Sequence, residues 1–203
     1  MNPLALTPAD ALIIVDLQND FLPGGSLGVP QGDEVVAPIQ QLIDLYQAHG
    51  LPIYASRDWH PEGHCSFTAH GGPWPVHCIA GSQGAAFTSA IDLEQFSTVI
   101  SKATTVEKDA YSAFNGTGLG EQMRARGIHR VAVCGLATDY CVLNTAKDAL
   151  AEGFATLLVL DAVRAVDVQP GDGARAIVQM QEAGAQPVHI DGFGLVSATA
   201  EMA

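Results

Sequence analysis

Basic residues are scarce in this 203-residue chain: 9 Lys and Arg stand against 22 Asp and Glu, for a formal charge of −13. That balance excludes nucleic acid and an anionic membrane as partners, because neither polyanion attracts an acidic surface. Long hydrophobic runs are also missing. The apolar run Ala11–Val15 is far too short for a signal-peptide core or a membrane span, and no Lys or Arg precedes it. The expectation is a cytoplasmic chain with reduced thiols. Its four cysteines, Cys65, Cys78, Cys134 and Cys141, include no Cys-x-x-Cys pair and no zinc-ribbon spacing. No Gly-x-Gly-x-x-Gly follows the first apolar run, so dinucleotide binding lacks its fingerprint. Ser-His-Asp hydrolysis lacks a Gly-x-Ser-x-Gly elbow joining a strand to a helix. Low-complexity tracts and internal repeats are absent too. With 48% apolar and only 15% charged residues, the chain reads as one globular domain with a sizeable core.

What is present alternates between two periods. Apolar, β-rich runs at Ala11–Val15, Leu51–Ser56, Phe96–Ser101, Val131–Cys134, Thr156–Leu160 and Pro187–Ile190 predict six strands. Between them lie helical patterns. Val35, Val36, Ile39, Leu42, Ile43 and Tyr46 share one face before Gly50, and further helices are expected over Gly118–Ala125, Asp139–Ala151 and Asp172–Ala183. This order predicts a three-layer α/β/α fold with a mostly parallel sheet of about six strands. One segment breaks the rhythm. Trp59 to about Thr88 is rich in Gly, Pro, His and Trp and has little periodicity, which predicts an ordered, site-forming insertion.

In such sheets ligands bind beyond the carboxyl ends of the strands. Those ends carry Asp16, Asp58, Lys102 and the Gly135–Cys141 turn. Cys141 is expected in the first turn of a helix, where unpaired N–H groups and the dipole lower a thiol's pKa. Asp16 would serve as its base, and Lys102 would hold the carboxylate ionised. Backbone N–H groups at Ala137 and Cys141 are suited to an oxyanion. Asp58 and His60, with a third ligand from among His64, His70 and His77, suit zinc, iron or manganese. Spacing alone does not choose that third ligand. Each residue also has a plain alternative reading: cysteine is often only a small buried hydrophobe, and histidine-rich loops are often only solvated.

Together the segments resemble the isochorismatase-like cysteine hydrolases, in their nicotinamidase/pyrazinamidase branch. The resemblance runs from Ala11 to about Val188. It rests on Val15-Asp-Leu-Gln-Asn-Asp-Phe21, Arg57-Asp-Trp-His-Pro61, His64-Cys-Ser-Phe67, Trp74-Pro-Val-His-Cys78, Ile100-Ser-Lys102, Tyr111-Ser-Ala-Phe114 and Gly135-Leu-Ala-Thr-Asp-Tyr-Cys141. It implies a single domain over 1–203 with a metal-binding insertion at about 57–90. It implies Asp16, Lys102 and Cys141 as catalytic residues, and Ala137 and Cys141 as the oxyanion hole beside a cis Leu136–Ala137 bond. Phe21, Trp74, Tyr111, Leu136 and Ala137 would contact substrate. Asp58, His60 and His77 would hold one divalent metal ion, zinc first and iron or manganese next, with His64 as a further candidate. The implied reaction is hydrolysis of nicotinamide, and of pyrazinamide, through a Cys thioester. The alternative is a metal-free relative acting on another small amide, carbamoyl or enol-ether substrate. The partner is a small molecule, and whether the chain is a homo-oligomer is left open.

Overall fold

The computed structural model describes residues 4–193. Six strands form one sheet: β1 (Asp10–Val15), β2 (Ile53–Asp58), β3 (Thr98–Lys102), β4 (Arg130–Leu136), β5 (Ala155–Arg164) and β6 (Gln186–Val188). Their spatial order is β3-β2-β1-β4-β5-β6, and every neighbouring pair is parallel. From β1 the chain builds outward through β2 and β3, then returns to place β4 on the other side of β1. The strand order therefore reverses between β1 and β4, which is where such sheets open a crevice at their carboxyl ends.

β1 is buried along its whole length, as an unbroken apolar run between two helical layers requires. Its side chains alternate between the layers. Leu12 and Ile14 pack with Ile39, Leu42, Ile43 and Tyr46 of α1 (Val36–Ala48). Ala11, Ile13 and Val15 pack on the opposite face with Met123 of α3 (Leu119–Ala125), Ala146 and Ala149 of α4 (Leu143–Ala151) and Met180 of α5 (Asp172–Glu182). Each large aliphatic side chain so buried contributes roughly 1.5–3 kcal/mol, so the two faces of β1 hold the layers together. No helix among the described residues is long and apolar enough to cross a membrane.

Several elements differ from what periodicity predicts. β5 runs to Arg164 because its pairing with β4 shifts register between Val133 and Gly135, a bulge that a period-of-two reading ends at Leu160. β6 stops at Val188 and gives way to a short turn at Ile190–Gly192. A four-residue helix, α2 (Leu93–Phe96), precedes β3, with the Asp92 side chain accepting from the Gln95 N–H. The helix expected from Asp139 begins instead as a π turn over Thr138–Val142, and α4 continues it.

Candidate active site

The carboxyl end of β4 requires glycine. Gly135 has φ +110°, and a Cβ there would lie 2.1 Å from the Val15 carbonyl oxygen of β1. No other residue lets the two strand ends approach so closely. The Leu136–Ala137 peptide that follows is cis. The π turn is then closed by the Ala137 carbonyl, which accepts from the Tyr140 and Val142 N–H groups. The Asp139 carboxylate accepts from the N–H groups of Val166 (2.9 Å) and Asp167 (2.8 Å), tying the turn to the loop after β5. Cys141 thus stands on a braced wide turn, a backbone form common at functional sites.

Three strand ends converge on that thiol. Lys102 Nζ lies 2.9 Å from Asp16 Oδ2, 2.5 Å from Asp58 Oδ1 and 3.5 Å from Cys141 Sγ, and donates to the Ala110 carbonyl at 3.1 Å. Ser56 Oγ donates to the other oxygen of Asp16 at 2.7 Å. All of these side chains are buried, and Asp16 and Lys102 have essentially no solvent contact. Asp16 (φ +48°) and Ala103 (φ +51°) bend the chain sharply at two of the strand ends. Non-glycine residues in that region cost of order 1–3 kcal/mol, a strain characteristic of functional sites.

Burial sets the charge states. Burial alone would lower the Lys102 pKa, but the Asp16 and Asp58 carboxylates outweigh it and hold the ammonium charged well above the ordinary lysine range. Asp58 would be raised by burial, yet Lys102 and His60 pull it below the usual carboxylate range. Asp16 is raised, chiefly by burial, which makes it the better proton acceptor of the two. The thiol differs from the sequence expectation. Burial first, and then the nearby carboxylates, push Cys141 well above a free cysteine despite the opposing Lys102 charge. It rests as a thiol and needs a base, because desolvation exceeds any help from the turn's N–H groups.

A second group lies beside the first. Ligand atoms of Asp58, His60 and His77 all fall within 4.8 Å of one another. Each imidazole is oriented through Nδ1: His60 toward the Ala103 carbonyl at 3.3 Å and His77 toward the Pro75 carbonyl at 2.8 Å. A ring that donates through Nδ1 keeps a lone pair on Nε2, and His60 Nε2 is buried with no hydrogen-bond partner. Burial lowers the His77 pKa, which keeps that ring neutral. An orphaned imidazole nitrogen, a second neutral imidazole and a carboxylate are the donor set and tautomers that a divalent cation requires. Charge agrees, since Lys102 balances one of two buried carboxylates and leaves one in excess. The alternative group Asp16, Asp58 and Cys141 also clusters, but the Lys102 ammonium already reaches all three.

His64 stacks on His60 with ring centroids 4.2 Å apart, yet its nitrogens are otherwise engaged. Nδ1 lies 2.7 Å from Ser66 Oγ and Nε2 lies 3.2 Å from the Lys108 carbonyl. His70 is exposed and outside the group.

A cleft of about 430 Å³ opens over both groups, walled by Phe21, Trp74, Tyr111, Ala137, Tyr140 and Val166, with Asp58, His60, His77 and Cys141 at its floor. Trp74 Nε1 donates to the Tyr111 hydroxyl at 2.9 Å, and the Tyr140 ring meets Trp74 edge-on at 4.9 Å. Asp16 and Lys102 lie behind this floor. The Leu136 side chain is fully buried in the α1-side core, near Gly32, so of the Leu136–Ala137 pair only Ala137 lines the cleft. The string Gly24-Gly-Ser-Leu-Gly28 lies in the loop after β1, where exposed Ser26 donates to Asp20 Oδ1 at 3.0 Å, so it forms no nucleophile elbow.

Other contributors escape a sequence reading. Gln18 donates from Nε2 to the Asp58 and Ala85 carbonyls and accepts from the Asp58 N–H, each at 2.8 Å. It fixes the backbone of a candidate ligand from 40 residues away. Asp20 Oδ2 accepts from the Cys78 N–H at 2.7 Å and so fixes the chain beside His77. Both sit inside the segment Val15–Phe21, but nothing local reveals their distant partners.

The comparisons with known proteins agree with this geometry. The isochorismatase domain profile matches residues 10–191. The chain belongs to the isochorismatase family. Among curated family members, the nicotinamidase of Escherichia coli is 40% identical over 199 residues, covering 88% of this chain and 93% of its own. The pyrazinamidase of Pyrococcus horikoshii, solved in complex with zinc, superposes with a TM-score of 0.85 at 46% identity, over 90% of this chain and 99% of that one. PnC1 from L. infantum, solved with nicotinate, gives 0.87 at 36% identity, over 94% and 98%. This isochorismatase-family chain is an amidohydrolase of the nicotinamidase type.

Proposed function

We propose that the protein hydrolyses nicotinamide to nicotinic acid and ammonia, with pyrazinamide as a second substrate, in salvage of the pyridine ring for NAD. One observation carries the reading: the thiol–carboxylate–ammonium group and the Asp58, His60, His77 group share one aromatic-walled cleft. A metal-free amidase would have no use for the orphaned His60 Nε2. A divalent cation held by Asp58, His60 and His77, zinc by preference for two imidazoles and a carboxylate, would supply a Lewis-acid anchor for the pyridine nitrogen. His64 is not assigned as a ligand, because both of its nitrogens have partners.

In this reading Asp16 takes the proton of Cys141, and the thiolate attacks the carboxamide carbon. Lys102 keeps Asp16 in place and offsets the negative charge that develops on sulfur. The N–H groups of Ala137 and Cys141 receive the tetrahedral oxyanion. When the C–N bond breaks, Asp16 returns the proton and ammonia leaves. Asp16 then deprotonates a water, which attacks the thioester carbon; nicotinic acid departs and the Cys141 thiol is restored. Phe21, Trp74 and Tyr111, joined by Tyr140, hold the ring against the nucleophile.

The test is product analysis with the purified, metal-replete protein. Nicotinic acid and ammonia should appear in equal amounts, and the protein should carry bound metal. No ammonia from nicotinamide would overturn the proposal, and full activity without metal would remove Asp58, His60 and His77 from the mechanism.

A further inference from the structure

Besides Asp58, one carboxylate lines the cleft: Asp109, in the loop between β3 and α3. Asp58 is paired with Lys102, but Asp109 has no ion-pair partner among the described residues. The neighbouring Lys108 is exposed and does not bridge to it. Asp109 Oδ1 accepts from the Ala110 N–H at 2.9 Å, and Ala110 in turn accepts from Lys102. The charge is therefore held by the backbone at a fixed place in the wall, beside Tyr111. It is near enough to act on His64 and Tyr111 through space.

A negative charge in a substrate wall acts differently on a neutral and on an anionic ligand. Amide hydrolysis supplies both, because a neutral carboxamide becomes a carboxylate in the same cleft. Resting on the hydrolysis proposed above, we infer that Asp109 is a specificity-determining residue that disfavours the carboxylate product relative to the neutral amide. Its effect is electrostatic, so it differs between the two ligands and weakens with salt.

Two readouts separate this inference from the reaction itself: equilibrium binding of nicotinic acid, which involves no turnover, and steady-state hydrolysis of nicotinamide. Asp109→Asn keeps the Oδ1 acceptor for Ala110 and removes the charge. It should bind nicotinic acid on the order of fivefold more tightly at low ionic strength, with the gain shrinking in high salt. Its KM for nicotinamide should shift by less than its affinity for nicotinic acid, because the amide carries no net charge. Asp109→Glu should restore the wild-type affinity for the acid, and Glu107→Gln, an exposed neighbour outside the cleft, should change neither readout. Unchanged binding of nicotinic acid by Asp109→Asn, or an equal shift for acid and amide, would overturn the inference. Tighter acid binding by a protein that does not hydrolyse nicotinamide would support Asp109 discrimination and overturn the reaction instead.

Discussion

Lys102 carries its ammonium between Asp16, Asp58 and the Cys141 sulfur with almost no solvent access, so each carboxylate depends on it for charge balance. Lys102→Met should destabilise the fold by roughly 3–5 kcal/mol, because removing one member of a buried ionic group strands the others. The pH dependence should change as well. In wild type, the depressed Asp58 contributes stability above its unfolded pKa of about 3.9, lost only as pH falls through the lower folded value. The raised Lys102 contributes stability below its unfolded pKa of about 10.4, lost only as pH rises through the higher folded value. In Lys102→Met, the stranded carboxylates bind protons more readily when folded, so stability should rise as pH falls from 7 to 5. Denaturant melts across that range measure it, and a variant no less stable than wild type would contradict the assigned charges. The histidines give a second residue-level outcome. His77→Ala should lower bound metal at least about tenfold more than His64→Ala, read by metal analysis after dialysis; equal retention would contradict the ligand set.

At the scale of elements, the site depends on the junction of β1 with β4. Gly135→Ala forces a Cβ toward the Val15 carbonyl and holds alanine at φ +110°. It should cost at least about 2 kcal/mol and move the π turn bearing Cys141, seen as a lower denaturation midpoint together with a reduced kcat. Much of this was legible in the chain. Ala11–Val15 reads as a doubly buried strand because every residue in it is apolar, and the strand-end rule brought Asp16, Asp58, Lys102 and Cys141 to one rim. The rest was not legible because it is not periodic. The bulge in β5 depends on its pairing with β4, and the Gln18 clamp on Asp58 joins residues 40 positions apart. The high pKa of Cys141 follows from burial, which a helix-start argument leaves out.

At the scale of the whole molecule, the fold presents one face of strand ends to ligand, and the site is buried enough for ligation to matter to stability. A cation bound only by the folded chain should stabilise it by about 2.7 kcal/mol at a hundredfold excess over Kd. Adding a chelator should therefore lower the thermal midpoint, and in the His60→Ala variant the chelator should have little effect. A midpoint unmoved by chelation in wild type would argue against a resident ion. The long insertion packs onto the core through Cys78 and Ala85 and is tied to the loop after β1 by Gln18 and Asp20, a dependence that its low periodicity did not disclose.

The central claim is that Cys141, deprotonated by Asp16, forms a thioester with the substrate acyl group. Hydroxylamine added during turnover of nicotinamide intercepts such an intermediate. The wild-type protein should divert part of its product to the hydroxamate of nicotinic acid, and the quenched Cys141 peptide should carry the nicotinoyl group by mass spectrometry. Cys141→Ala should yield neither. Nicotinic acid released by Cys141→Ala at the wild-type rate, with the Cys141 peptide of the active protein always unmodified, would contradict the account.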